Sequence, residues 1–384
     1  MKTIEPYNGF EQGPIRPPSE AGSLLIRITR NCPWNRCTFC PVYKGTKFSI
    51  RPVDHVLKDI DKVHGYVESI LNAKQQAARA GQTGAGRLSL SLDDHGQMAF
   101  YAARSFVANG MKSIFLQDGN SLIIKPDDLV RILDHLQQAF PDVDRITSYA
   151  RSQTIAKISD DDLRRFAASG LNRIHIGMES GSDAVLKRVQ KGTDKATQVL
   201  AGQKIKRAGM ELSEYYMPGL GGRSLWRENA METADALNQI NPDFIRLRTL
   251  ALPENAPIAA QYRSGEFDKM GEVETAGELL LFLEELHGIE STVKSDHVLN
   301  LFSEVEGRLP RDKEKMISPV RSFLQLRPAQ QMIFSIGRRT HRMSRLTDLD
   351  DPIKVRNAEQ MCAELGATTE NMDEIVDSII KRFI

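Results

Sequence analysis

The chain has 384 residues, is 41% hydrophobic and 26% charged, and carries a formal net charge of +1. That is enough apolar material for a sizeable core, and too little net charge to nominate nucleic acid or a membrane surface as partner. No apolar run reaches the length of a membrane span, and the N-terminal MKTIEPYNGFEQG lacks the basic-then-apolar layout of a secretory leader, so a cytoplasmic protein is expected.

Residues 1–21 read as an N-terminal extension. SLLIRIT (23–29) predicts a buried strand. It runs straight into RNCPWNRCTFCPVY (30–43), which holds three of the four cysteines. A long helix is predicted over 52–80, with Val56, Ile60, Val63, Val67, Ile70 and Leu71 at helical spacing and Pro52 near its start. Residues 81–97 are glycine-rich and predict a surface insertion, with a short strand at 88–92 and the sequence DDHG (93–96) inside it.

Beyond the insertion the alternation is regular. Helix 98–110 leads to strand 113–117 and DGN; helix 126–140 leads to strand 145–150. Helix 159–170 leads to strand 173–178 and ESGSD; helix 193–208 leads to strand 211–217 and PGLGG. Helix 225–240 leads to strand 243–250; helix 272–287 leads to strand 290–295 and DHVLN. Alternating strands and helices with short links predict an α/β fold, a partial or full (β/α) barrel with helices outside. The core spans 22–260, residues 261–310 complete the barrel, and 311–384 form a mostly helical extension. In such a barrel the chemistry sits at the C-terminal ends of the strands. The residues expected there are the cysteines, Asp118, Gly119, Arg151, Glu179, Ser180, Gly219, Gly221, Arg248 and His297.

Some candidates also have plain structural readings. Arg246 and Arg248 alternate along one strand and should share a face; two unpaired arginines inside a barrel would be costly, which points to an anionic small-molecule substrate. Asp296, His297 and Asn300 cluster at a strand end, where a satisfied structural histidine is the common outcome. The stretch 306–346 holds 10 basic and 3 acidic side chains, against 4 and 9 in 347–384, so the two can pack against each other. Cys362, isolated on a helical stretch, reads as a small buried hydrophobe.

Cys32, Cys37 and Cys40 are spaced C-x4-C-x2-C. Thiolates suit zinc or iron–sulfur clusters. Structural zinc takes four ligands, and the nearest candidates for a fourth, His55 and His64, lie on the following helix without paired spacing. A four-iron cluster held by three cysteines leaves one iron open to bind a small molecule.

These motifs together resemble the radical SAM (S-adenosylmethionine) superfamily. Its usual C-x3-C-x2-C motif follows the first barrel strand, with an aromatic just before the last cysteine. Phe39 holds that place here, and the first gap is one residue longer. FLQDGN (115–120) stands where the superfamily has a glycine-glycine-glutamate stretch, so Asp118 and Gly119 are implied to hold the SAM amino group. HIGMESGSDAVLKRVQKG (175–192) resembles the fourth-strand region of the subgroup with coproporphyrinogen dehydrogenases, methylthiotransferases and cobalamin-type enzymes. By that resemblance Glu179, with Ser180 beside it, meets the SAM ribose. Arg151 of SYAR would meet the SAM carboxylate, and Gly219 and Gly221 of MPGLGG would back the adenine.

The resemblance implies a [4Fe-4S] cluster, SAM, and an electron donor such as a flavodoxin, a ferredoxin or a reductase. One electron would cleave SAM to a 5′-deoxyadenosyl radical, which takes hydrogen from the substrate. No second cysteine cluster occurs, which argues against methylthiotransferases. About 30 residues precede the motif, too few for a cobalamin-binding domain. The other reading is a non-catalytic relative that carries haem or another ligand on the same fold.

Overall fold

The computed structural model describes residues 5–80 and 93–381. Its main sheet has eight strands: β1 (Leu24–Arg27), β2 (Ser113–Gln117), β3 (Arg145–Ala150), β4 (Leu171–Glu179), β5 (Glu211–Tyr216), β6 (Phe244–Leu247), β7 (Thr292–Lys294) and β8 (Gly307–Arg308). Their order in the sheet follows their order in the chain. β1/β2, β2/β3, β5/β6 and β6/β7 pair in parallel, and β8 closes antiparallel on β7. A doubly wound sheet reverses its strand order at a switch point. A sequential, mostly parallel order with intervening helices is the α/β arrangement of a (β/α) barrel.

By internal packing the chain divides into two units. The first comprises Met1–Pro33, Gly45–His175 and Lys204–Glu211. Here Leu24 lies opposite Ile114, and Ile114 opposite Ile146. β2 is buried along Ile114–Gln117, as expected of a strand covered on both faces. Helix Val53–Arg79 presents Val56, Ile60, Val63, Val67 and Ile70 inward, the stripe its spacing predicts. It packs on helices Asp94–Ala108 and Pro126–Ala139.

The second unit comprises Trp34–Lys44, Ile176–Gln203 and Leu212–Ile384. β5–β7 lie with helices Gly222–Ile240 and Glu272–Glu285, which pack on each other. Four more helices follow: Lys313–Gln325, Pro328–Arg339, Pro352–Glu364 and Met372–Ile380. Cys362 is 4% exposed in an apolar cluster with Leu299, Ile336, Met372, Val376 and Ile380, and burial raises its thiol to about 11.

Several boundaries differ from expectation. The helix placed at 98 starts at Asp94, because the Asp93 side chain accepts from the Gly96 backbone and caps it; DDHG therefore begins a helix rather than lying in an insertion. The strand expected at 88–92 lies outside the described residues. β6 ends at Leu247, so Arg248 lies beyond it and is exposed, while Arg246 is buried. The basic and acidic C-terminal stretches do pack together, through apolar side chains and through Asp348, which accepts from the Ser344 and Arg345 backbone N–H groups rather than from a cationic side chain of the basic stretch. Their charges pair elsewhere: Arg339 with Glu272, Asp377 with Lys269, and Lys381 with Glu254.

Candidate functional site

In the first unit, Cys32 follows Asn31, whose φ of 68° is left-handed. The Asn31 backbone N donates to Asp118 Oδ2 at 3.0 Å, and its side-chain amide donates to Lys47 O at 2.6 Å. Asp118 follows β2 and is fully buried. The same Oδ2 accepts from Arg27 Nε at 2.9 Å and lies 2.7 Å from the other guanidinium nitrogen. Gly119 is half-buried. Asn120 accepts from the Arg151 backbone N at 2.9 Å and donates to Thr154 at 2.8 Å, so it ties the end of β2 to the helix that Arg151 begins.

In the second unit, Cys37 and Cys40 share a tight turn. The loop around them is seated on residues 189–192. The Trp34 indole donates to Gln190 O at 2.7 Å, and Thr38 N donates to Val189 O at 3.0 Å. Gly192 is left-handed, and a Cβ there would lie 2.2 Å from the Trp34 ring, so glycine is required for the indole to sit down. Phe39 packs against the cluster of Val185, Val189, Met217 and Leu220. Its ring lies 5.5 Å from Lys191 Nζ.

Glu179 ends β4 in a left-handed conformation, φ 65°. A non-glycine residue held there turns its side chain away from the strand's alternation. Its carboxylate pairs with Lys191 Nζ at 3.2 Å, and its carbonyl accepts from Met217 N at 2.9 Å. Lys191, twelve residues on and inside the stretch already singled out, was not among the predicted site residues.

Glu214, on β5, was also missed, because a charged residue inside ELSEYYM reads as one outward position of a strand. It is 1% exposed, and among the described residues neither carboxyl oxygen meets a hydrogen-bond donor. Burial pushes its pKa well above the carboxylate range; the Glu179 charge adds to this and Lys191 opposes it.

Ser180 is fully buried; its hydroxyl accepts from Ser182 N at 3.0 Å and its carbonyl from Gln198 at 2.8 Å, a turn-building role. Gly219, at φ +87°, donates its N–H to Glu278 Oε2 at 3.0 Å. Glu278 Oε1 accepts from Tyr216 Oη at 2.7 Å and Asn229 Nδ2 at 2.6 Å. Three donors thus converge on a fully buried carboxyl, whose pKa burial nevertheless lifts to about 7. A Cβ at Gly221 would lie 2.5 Å from Leu225 O, so the glycine permits this close turn.

Arg246 donates to Ser213 at 3.2 Å and pairs with Asp296. It is satisfied inside the protein, and the unpaired pair of arginines expected on one face does not occur. His297 is half-buried and its Nδ1 accepts from Leu299 N at 3.2 Å. Burial, then the nearby Arg248 charge, lower its pKa to about 4 against a smaller opposing effect of Asp296. Arg248 and His297 are therefore close enough to interact. Asn300 is structural, accepting from Thr249 N and donating to Leu247 O.

Cys32, Cys37 and Cys40 are half-buried and in no disulfide, a donor set suited to iron. Among the described residues no three His, Cys, Asp or Glu side chains converge as for a single metal ion. A cluster needs no such convergence, since each thiolate binds a different iron. The orphaned Glu214 carboxyl beside the Glu179–Lys191 pair suits a polar ligand. No helix among the described residues is long and apolar enough to cross a membrane.

Residues 97–234 match the model of the radical SAM superfamily. That segment carries Asp118, Arg151, Glu179, Lys191, Glu214 and the 219–222 glycines, and lies beyond the cysteines. Among curated relatives, 4′-phospho-dehydrooxetanocin synthase of Priestia megaterium is 25% identical over 253 residues, covering 65% of this chain and 29% of that protein. Heme chaperone HemW of Buchnera aphidicola subsp. Schizaphis graminum is 23% identical over 245 residues, 62% of this chain and 52% of that one. The chain thus spans 29% and 52% of the length of these two relatives. Among solved structures, coproporphyrinogen III oxidase (HemN) from Escherichia coli is similar at a TM-score of 0.42 and 16% identity, over 68% of this chain and 50% of that one. Within its sequential β/α order, the chain thus carries a segment, residues 97–234, that is similar to the radical SAM superfamily.

Proposed function

We propose that the protein is a radical SAM enzyme that removes a hydrogen atom from a small anionic organic substrate. The observation that carries this reading is the meeting of Glu179 and Lys191 at the C-terminal end of β4, with Phe39 of the cysteine loop against Lys191. Cys32, Cys37 and Cys40 hold a [4Fe-4S] cluster. Together with SAM, that cluster supplies a hydrogen-abstracting radical once an external donor has provided one electron.

The chain's own residues bind and orient. Glu179 accepts from the ribose hydroxyls. Lys191, freed from Glu179 by that contact, and Arg151 present positive charge to the SAM carboxylate. The backbone at Gly119 faces the amino group, and Gly219 and Gly221 let the chain approach the adenine. Arg248, exposed and beside a neutral His297, receives the substrate's negative charge. With Arg246 already paired, the anionic-substrate reading rests on Arg248 alone. Thiols outside any disulfide and a cluster with an open iron suit a reducing, cytoplasmic setting.

The test is anaerobic reconstitution followed by dithionite, SAM and assay of 5′-deoxyadenosine, with Cys40→Ala as control. Formation of 5′-deoxyadenosine by the wild type and not by the variant is expected. Failure of the wild type to assemble any cluster would falsify the reading. Intact SAM beside a loaded cluster and tightly bound haem would identify a carrier instead.

A further inference from the structure

We infer that Asp118 is a positioning residue for the cluster-bearing loop and makes no contact with SAM. This rests on the function proposed above and changes what one residue does in it. Three observations, all within the first unit, carry the inference.

Asp118 Oδ2 is already occupied by the Asn31 N–H at 3.0 Å and by two nitrogens of Arg27, at 2.9 and 2.7 Å. A carboxyl group bonded to a guanidinium and a backbone N–H is a strong, directional clamp. It acts on the residue directly before Cys32. Asn31 is left-handed, a conformation asparagine tolerates better than most residues but that still needs fixing in a loop. The clamp does so, helped by the Asn31 side chain on Lys47 O.

Asp118 is also sealed. The N-terminal segment passes so closely that a Cβ on Gly13 would lie 2.0 Å from Asp118 Oδ1. Gly13 is fixed in turn by Gln117, which accepts from Gly13 N at 2.9 Å and donates to Gly13 O and Ile15 O at 3.1 and 2.7 Å. Asp118 is 0% exposed beneath this strap. A SAM amino group would have to displace both the strap and the arginine to reach it.

Arg27 is itself held from the far side. It donates to Glu11 at 3.2 Å, and Glu11 also pairs with Arg30 and Arg51. The clamp is therefore one member of a charged network that joins the N-terminal segment to the base of the cysteine loop.

The experiment compares wild type, Asp118→Ala, Asp118→Asn and Gly13→Ala, each reconstituted anaerobically. Three quantities are read: iron bound per chain, the half-life of iron release to a chelator, and the SAM dissociation constant of the cluster-loaded fraction. Asp118→Ala should shorten the half-life at least fivefold and leave SAM affinity within twofold. Asp118→Asn, which keeps an accepting oxygen, should fall between. Gly13→Ala, which crowds the carboxylate without touching its chemistry, should release iron faster than wild type.

A normal half-life in Asp118→Ala overturns the inference, whether SAM affinity is unchanged or weakened tenfold. If Asp118→Ala fails to fold by circular dichroism, Asp118→Asn and Gly13→Ala decide on the same criteria. If the wild type binds no iron, the proposed function fails first, and that outcome is distinct from the others.

Discussion

Glu278→Gln probes the buried carboxyl that holds the Gly219 turn. The side chain is fully buried, and its pKa rises from the usual 4.5 to about 7 because desolvation outweighs the three donors facing it. A tenfold change in proton affinity is about 1.4 kcal/mol, so this rise corresponds to about 3 kcal/mol between protonation states. The folded chain holds the proton more tightly than the unfolded one. Stability from this group is therefore fully present below about pH 4.5 and is lost as pH rises through 7. Glutamine carries no charge, so the variant lacks that pH dependence. It puts an N–H₂ against one of the three donors, a pH-independent cost of about 1–3 kcal/mol. Urea denaturation of both proteins at intervals from pH 5 to pH 8 is the assay. The stability advantage of wild type over variant should shrink by about 2–3 kcal/mol across that range. A difference that stays constant with pH would show that Glu278 is ionised throughout, and the argument from burial would be wrong.

Two further outcomes follow from the contacts described above. In proton NMR, His297 should titrate near pH 4, and Arg248→Met should move it upward while leaving it below 6.5, because burial is the larger cause; titration at 6.5 in the wild type refutes the placement. Gly192→Ala forces a Cβ to within 2.2 Å of Trp34 and strains a left-handed backbone. It should cost about 2 kcal/mol and red-shift Trp34 fluorescence as the indole leaves its seat; an unchanged melt and spectrum count against that seat.

The strand–helix order was legible because each element is long enough to show its period and ends at glycine, aspartate or proline. Short helices escaped that test. Ser152–Lys157, Asp183–Arg188 and Pro257–Arg263 span six or seven residues each, too few turns for an apolar stripe to repeat. The start at Asp94 was missed although Asp93 is a good capping residue, because the glycines before it dominated the reading.

At the site, types and positions were legible and partners were not. Asp118 could be placed at a strand end. Its arginine, 91 residues earlier, could not be found from periodicity. Arg246 looked unpaired for the same reason, with Asp296 50 residues away. Glu214 is the converse case: the unusual fact about it is the absence of a nearby donor among the described residues, which only coordinates reveal.

The seating of the cysteine loop bears on how iron would be delivered. Trp34 on Gln190, Thr38 between Val189 and Ile258, and Asn35 with Tyr43 and Lys44 tie down the backbone of residues 34–44 with the protein's own groups. Ordering a free segment costs about 1–2 kcal/mol per residue, and small zinc domains meet that cost only when the metal arrives. Here the cost is met by folding. Under the proposed function, the turn that carries Cys37 and Cys40 would then be ordered by the protein's own hydrogen bonds rather than by iron. Under that reading, Cys40→Ala, which should hold less iron, should keep the wild-type far-ultraviolet circular dichroism.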